Sequence, residues 1–502
     1  MKLFSLNNRD HKLIVLLFFT GIITRFPLIE KMQSHWDGSL FSMAVVNYTI
    51  EKNTPPLPGS PLYIAFGKFF NYFVNDPHIA ILLVSVLFSG LSAAAFYIAG
   101  KAIYNSKTGI ISSLIFLSCS TFYYFGITPY SFVILPFFWV LIGAAIYLLI
   151  FKNKPMGIFI GLMYAFGLGV RPQEGLFLTP MVLYSFLLMN NKEKKNFSIS
   201  FILTFLAWFI PLMFVEGGFS YPKMILSHIP NYPIGFHQQD YELIVKGFFL
   251  TLGFSGFFLL HYIRYLRGKI SDNLRKKTIF FSLWILPNFL FNAILVSVHA
   301  GYQMGYLIAL VLLCANAIHK TFNRNIVLLK LVVLFIVVTN LIVFFWDRDP
   351  KFQKNYRPSS FHYTDIRKND IKLGGKVDYI RKNYNPITTL IITTSTLWSP
   401  YMYHLKEYRQ YSLEAIFTTN PRFIDERRDS YNWEVREYNL KNKFFKVPPN
   451  IKTLIIVDDE YKTELIGLMG KKYRLPGNSF IVEIPVLGGE RISYGFHKIG
   501  KF

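Results

Sequence analysis

Long apolar runs separated by short polar stretches fill the first 346 residues of the chain. A helix that crosses a bilayer core of about 30 Å needs about 20 residues, most of them apolar. Runs near this requirement lie at 13–29, 79–100, 109–127, 131–151, 156–171, 175–190, 197–215, 243–263, 278–297, 303–319 and 325–346. The pattern predicts about eleven transmembrane helices, several short enough to be tilted partners or half-helices. The weakest pair flanks Arg171.

Between the first two spans the period changes. Leu40, Phe41, Ala44, Val45 and Tyr48 recur at helical spacing and predict a helix over Leu40–Ile50 lying in the membrane interface. An aromatic-rich helix of the same kind is expected over Tyr63–Val74. The prolines and glycine of Thr54-Pro55-Pro56-Leu57-Pro58-Gly59-Ser60-Pro61 make a stiff turn between them.

From Asp347 on, the pattern is polar and charged. Short β-like runs at Thr389–Thr393, Thr453–Val457 and Phe480–Ile484 alternate with helical patterns near 398–408 and 461–469. This predicts a small α/β domain. The chain therefore divides into a transmembrane domain, 1–346, and a C-terminal domain, 347–502. No internal repeat, low-complexity segment or Gly-rich phosphate loop stands out.

Composition agrees with this polytopic α-helical class. The 502 residues are 52% hydrophobic and 18% aromatic, with a mean hydropathy of +0.33. The N-terminal run is read as a retained first span, because Phe26-Pro27-Leu28 is a poor cleavage site. A net charge of +24 would suggest nucleic acid in a soluble protein, but no basic-aromatic tract or zinc spacing supports that partner. Basic loops beside anionic headgroups explain the charge better. Lys2, Arg9 and Lys12 precede the first span, and alternate loops from Lys101 to Arg324 carry the other basic residues. The N-terminus is expected in the cytoplasm and, with an odd number of spans, the C-terminal domain outside the cell membrane. Cys119 and Cys314 both lie in apolar runs, which argues against a disulfide framework or a cysteine metal site.

This orientation gathers polar, titratable residues on the outer face. The first outer loop holds His35-Trp36-Asp37-Gly38-Ser39, a few residues past a span. An acid in an outer loop is commonly just solvated. Held at headgroup depth, however, the Asp37 carboxylate could take a proton from an acceptor hydroxyl, with His35 beside it. A second outer loop, 216–242, contains His228, His237, Gln238 and Asp240, which could line an acceptor or form an ordinary polar loop. His237 and Asp240 are spaced to share a metal, but two ligands are too few to assign one, so a divalent metal stays open. Asp347-Arg348-Asp349 reads as a juxtamembrane linker, and Asp458-Asp459-Glu460 as a helix cap. Neither short run supplies enough oxygen ligands for a hard cation.

The motif series resembles the GT-C superfamily of membrane glycosyltransferases, in particular the bacterial and archaeal relatives of protein O-mannosyltransferases. Trp36-Asp37-Gly38-Ser39, Pro56-Leu57-Pro58-Gly59-Ser60-Pro61-Leu62-Tyr63 and Gly67-Lys68-Phe69-Phe70 follow that family's order, and Val298-His299-Ala300-Gly301-Tyr302-Gln303 is similar to its late outer turn. The resemblance is clearest over about residues 10–110. It implies a lipid-linked donor, a sugar on polyprenyl phosphate, transferred with inversion to an extracytoplasmic protein hydroxyl or cell-envelope glycan or lipid. Asp37 would be the catalytic base. Arg171, His299 and Gln303 would be the candidates beside the departing phosphate, against plain snorkelling of Arg171 and helix-end hydrogen bonding of the other two. Family members often carry a second acid just after the aspartate, whereas Gly38, Ser39 and Leu40 stand here.

The rival readings are a transporter or lipid flippase, and a non-catalytic membrane scaffold. A transporter would show paired charges within its spans and broken helices in matching halves. Neither is visible in the sequence.

Overall fold

The structure, a computed structural model, describes residues 6–50, 54–216, 238–267, 272–294, 300–346, 361–393, 398–412, 444–458, 463–465 and 468–496, with Phe4, Gly218 and Lys223 besides. Two compact units form: Met1–Ile29 with Leu57–Asp365, and Glu30–Pro56 with Ile366–Phe502.

The first unit is helical. Its helices start where the sequence supplies oxygen acceptors for unpaired amides. Asn7 and Asp10 form a reciprocal capping box on Asn8–Arg25. Asp76 accepts from the His78 and Ile79 amides ahead of Pro77–Ile103. Asn105, Asn190 and Asn325 cap Ser106–Ser118, Asn191–Val215 and Ile326–Phe345 in the same way. Small residues then let the helices approach closely. A Cβ on Gly21 would come within 2.6 Å of the Gly90 Cα, and one on Gly100 within 2.6 Å of the Gly109 Cα. Asp10, buried between the first helix and Pro77–Ile103, accepts from Tyr97 at 2.5 Å and pairs with Lys101.

Each of the eleven predicted runs contains helix among the described residues, where eight helices are long and apolar enough to cross a membrane. The other expected spans fall on shorter or broken helices. Gly157–Val170 and Pro172–Leu188 are short. The run at 109–127 breaks at Cys119, whose backbone is extended (φ −71°, ψ 142°). Pro61–Val74 is the expected amphipathic helix, burying Tyr63 and Ile64 while Tyr72 and Phe73 stand exposed.

The second unit is α/β. Its strands are β1 (Thr389–Thr393), β2 (Arg409–Ser412), β3 (Phe444–Lys446), β4 (Thr453–Ile456), β5 (Thr463–Leu465), β6 (Lys471–Leu475), β7 (Ser479–Pro485) and β8 (Arg491–Phe496). One sheet has the order β2-β1-β4-β7-β6, and the other β3-β8-β5. The first three strands of the larger sheet are parallel, and β7 and β6 are antiparallel. β1 and β4 are buried nearly end to end, as parallel strands covered on both faces should be. Leu390, Ile392, Leu454 and Ile456 pack into one core, and Ile391, Ile455, Leu373 and Val377 into another.

One expectation fails in this unit. The helical pattern over 461–469 contains β5, because Thr463–Leu465 pairs antiparallel with β8. The sequence reading also lacked the helix Tyr363–Asn383. The segment 30–56, placed by composition with the spans, groups by contact with the C-terminal unit. Within it the apolar stripe Leu40, Phe41, Ala44 and Val45 is buried in protein.

Candidate active site

Asp37 lies in the second unit, in the first turn of the helix Trp36–Val46, where an acidic side chain complements the helix dipole. It is half-buried. His35 is the N-cap residue, but its side chain makes no capping bond. The turn is held instead through the His35 carbonyl, which accepts from Ser39 N at 2.9 Å and Ser39 Oγ at 2.7 Å. His35 itself is buried, with Nε2 3.0 Å from a carboxylate oxygen of the fully buried Glu30. Burial pushes the Glu30 carboxyl above the usual carboxylate range, and the neighbouring His35 pulls it back.

The same stretch is tied to the C-terminal part of its unit. Asp370 Oδ1 accepts from the amides of Lys31 and Met32 at 2.9 and 2.8 Å. His404 Nε2 accepts from Gln33 N at 2.9 Å. Ser399 Oγ donates to the Trp36 carbonyl at 3.2 Å, and the Trp36 and Trp398 rings meet edge-on at 4.6 Å.

Arg171 and Gln303 lie in the helical unit. Arg171 stands at the break between Gly157–Val170 and Pro172–Leu188, with non-helical φ −146° and ψ 89°. Pro172 lacks the amide that would carry the helix through. The Arg171 side chain is 4% exposed, so it does not snorkel outward. Nη1 donates to Ser131 Oγ at 2.5 Å, and the guanidinium lies 3.8 Å over the Phe132 ring and 5.5 Å from the Tyr302 ring. Its Nε is buried without a hydrogen-bond partner among the described residues. Phe132 packs so closely on Gly301 that a Cβ there would come within 2.3 Å of the ring.

Gln303, fully buried, accepts from Tyr306 Oη at 3.0 Å. Tyr306 N in turn donates to Asn288 Oδ1, and Asn288 Nδ2 approaches the buried Glu174 at 3.4 Å. Asn292 donates to the Tyr302 carbonyl at 3.2 Å, which joins the Gln303 cluster to the aromatic ring beside Arg171. Buried polar residues inside a bundle are costly and mark working sites. Sequence reasoning singled out Arg171 and Gln303 but left Asn288 and Asn292 as span residues, since lone amides scarcely disturb an apolar run. It also passed over Arg25, fully buried at the end of the first span. Arg25 stacks 4.0 Å over Tyr123 and donates to the Leu117 carbonyl at 2.6 Å.

His228, His237 and His299 lie outside the described residues. Asp240 falls within the helix Gln238–Leu252. Among the described residues no three His, Cys, Asp or Glu side chains gather as metal ligands.

Residues 56–215 match the family model described as dolichyl-phosphate-mannose-protein mannosyltransferase. No curated protein matches the chain by sequence. Among solved structures, the chain is similar to ArnT from Cupriavidus metallidurans bound to undecaprenyl phosphate. The TM-score is 0.56 at 10% identity, over 96% of this chain and 98% of that one. The apo state of the same protein gives 0.57 at 10% identity, over 94% and 97%. At that identity the likeness establishes the fold, and the family match adds relationship over 56–215. The chain is thus a polytopic membrane protein with the fold of ArnT, and over residues 56–215 it is related to the O-mannosyltransferase group of membrane glycosyltransferases.

Proposed function

We propose that this protein transfers a sugar from a polyprenyl-phosphate carrier to a hydroxyl on an extracytoplasmic acceptor, with inversion at the anomeric carbon. The acceptor is a protein side chain or a cell-envelope glycan or lipid. The N-terminus would face the cytoplasm and the α/β unit the outside. The observation that carries the reading is the family match over 56–215. The ArnT structure that shares the fold was solved with undecaprenyl phosphate, which supports a lipid-phosphate donor.

In this reading the Asp37 carboxylate accepts the proton of the acceptor hydroxyl. The hydroxyl oxygen bonds to the anomeric carbon from the face opposite the phosphate. The bond from that carbon to the phosphate oxygen breaks, its electron pair leaving with polyprenyl phosphate. Asp37 then returns its proton to solvent. The transition state has oxocarbenium character, as in other glycosyl transfers. Phosphate is a good leaving group, so what it needs is positive charge. Arg171 is the candidate, because its guanidinium is buried, stacked and left with a free Nε among the described residues. Gln303 and His299 are secondary candidates for the donor. His35, His228, His237 and Asp240 remain candidates on the acceptor side.

The test is sugar release from a panel of radiolabelled polyprenyl-phosphate sugars by the purified protein, with and without chelator. Turnover of one donor is expected and would identify it. No turnover of any donor, together with substrate flux across proteoliposomes, would replace the transferase with a transporter.

A further inference from the structure

The helix that carries Asp37 starts without a side-chain cap. His35 occupies the N-cap position without a side-chain capping bond, although such a bond normally sets where and in what direction a helix begins. The preceding stretch, 30–35, has no strand partner among the described residues. Yet three consecutive amides in it, those of Lys31, Met32 and Gln33, all donate to side chains more than 330 residues away in sequence. The acceptors come from two helices of the same unit: Asp370 from Tyr363–Asn383 and His404 from Trp398–His404.

Both acceptors are themselves held. Arg367 Nη1 lies 2.6 Å from Asp370 Oδ2, which leaves Oδ1 for the two amides. Asp370 is buried, so its hydrogen bonds are shielded from water. Arg381 Nη2 donates to the His404 carbonyl at 2.6 Å and Arg381 Nε to Glu407 at 2.7 Å, which ties down the end of the second helix. His404 Nε2 serves as an acceptor, so in this tautomer the ring proton is on Nδ1. Ser399 and Trp398 then meet Trp36, the residue before Asp37.

We infer that Asp370 and His404 are positioning residues: they clamp the main chain of 31–33 and so set the placement of the Asp37 carboxylate. The inference rests on the proposed role of Asp37, and it makes the C-terminal unit a working part of the transferase. A half-buried carboxylate on a free loop would sample many positions. A carboxylate four residues from a triple main-chain clamp would not, and reacting groups displaced by about 1 Å lose about 10²-fold in rate.

The test uses the full-length protein and two readouts. Hydrogen exchange at the amides of 31–33 reports the clamp whatever the activity. Sugar transfer, split into kcat and donor Kd, reports its consequence. Asp370→Ala should accelerate exchange in 31–33 about tenfold, as expected for a lost main-chain hydrogen bond to a charged acceptor. It should lower kcat about 10²-fold with donor Kd unchanged. Asp370→Asn keeps an oxygen at the acceptor position and should restore most of both. His404→Ala should act in the same direction at Gln33 alone. Exchange across β1 and β4 shows whether the unit is still folded. If Asp370→Ala unfolds it, Asp370→Asn and His404→Ala carry the comparison. Unchanged exchange and kcat in a folded Asp370→Ala or His404→Ala protein would overturn the clamp. Full activity of Asp37→Asn would instead overturn the role of Asp37, leaving the exchange result standing by itself.

Discussion

The turn bearing Asp37 and the corner bearing Arg171 hold their charged groups by opposite means. Asp37 sits half-exposed on a turn whose main chain is fastened by side chains from remote helices of its own unit. Arg171 is buried at a helix break and held by its side chain, through the face of Phe132 and the hydroxyl of Ser131. The base proposed at Asp37 must stay reachable to acceptors, so its order has to come from the backbone beneath it. A cation that waits for a phosphate can be ordered directly by packing, because a planar guanidinium stacks on an aromatic face without losing its charge.

This contrast can be broken or sharpened by mutation. The largest effect is expected from Asp37→Asn, which removes the proposed base while keeping the size of the side chain. Its kcat should fall about 10²–10⁴-fold with little change in melting temperature. Arg171→Lys keeps the charge but loses the stacked plane. A desolvated cation–π contact is worth about 2 kcal/mol, so donor affinity should weaken about thirtyfold, read as Kd by isothermal titration. An unchanged Kd would remove Arg171 from the donor side.

A smaller effect is expected from Gly301→Ala. The new Cβ meets Phe132 at 2.3 Å, and overpacking of this kind costs about 1–3 kcal/mol. Thermal melting should drop, and donor affinity should fall by less than in Arg171→Lys, because the ring beneath the guanidinium shifts but stays. The smallest effect concerns Glu30. Its folded-state pKa is raised by burial, with His35 opposing. The cost of the buried charge is therefore absent below the unfolded carboxylate range and grows as pH rises toward the folded value. Glu30→Gln should melt with wild type in acid and slightly above it at neutral pH. A variant less stable at every pH would mean that the contact with His35 outweighs the burial cost.

How legible each region was in the sequence follows from the range of the interactions that build it. The spans are local, and every predicted apolar run contains helix among the described residues. What the pattern did not show is where the helices break, since a break such as Cys119 or Arg171 hardly alters average hydropathy. Strands β1, β4 and β7 stood out as β-branched, buried runs. β5 did not, because three residues paired to β8 carry almost no period of their own. The helix Tyr363–Asn383 buries Ile366, Leu373, Val377 and Ile380, but lysines and aspartates diluted that stripe. Asp37 was legible from its neighbours and from family resemblance. The clamp beneath it was not, because Asp370 and His404 lie hundreds of residues away from the amides they accept, and no local pattern records such a bond.

The central claim is that Asp37 performs the proton transfer and does not simply hold the donor. Donor Kd and single-turnover sugar transfer, measured on one folded preparation of Asp37→Asn beside wild type, test it most directly. The account predicts wild-type donor binding with transfer lowered by two orders of magnitude or more. Transfer at the wild-type rate, or a loss explained wholly by weaker donor binding, would contradict it.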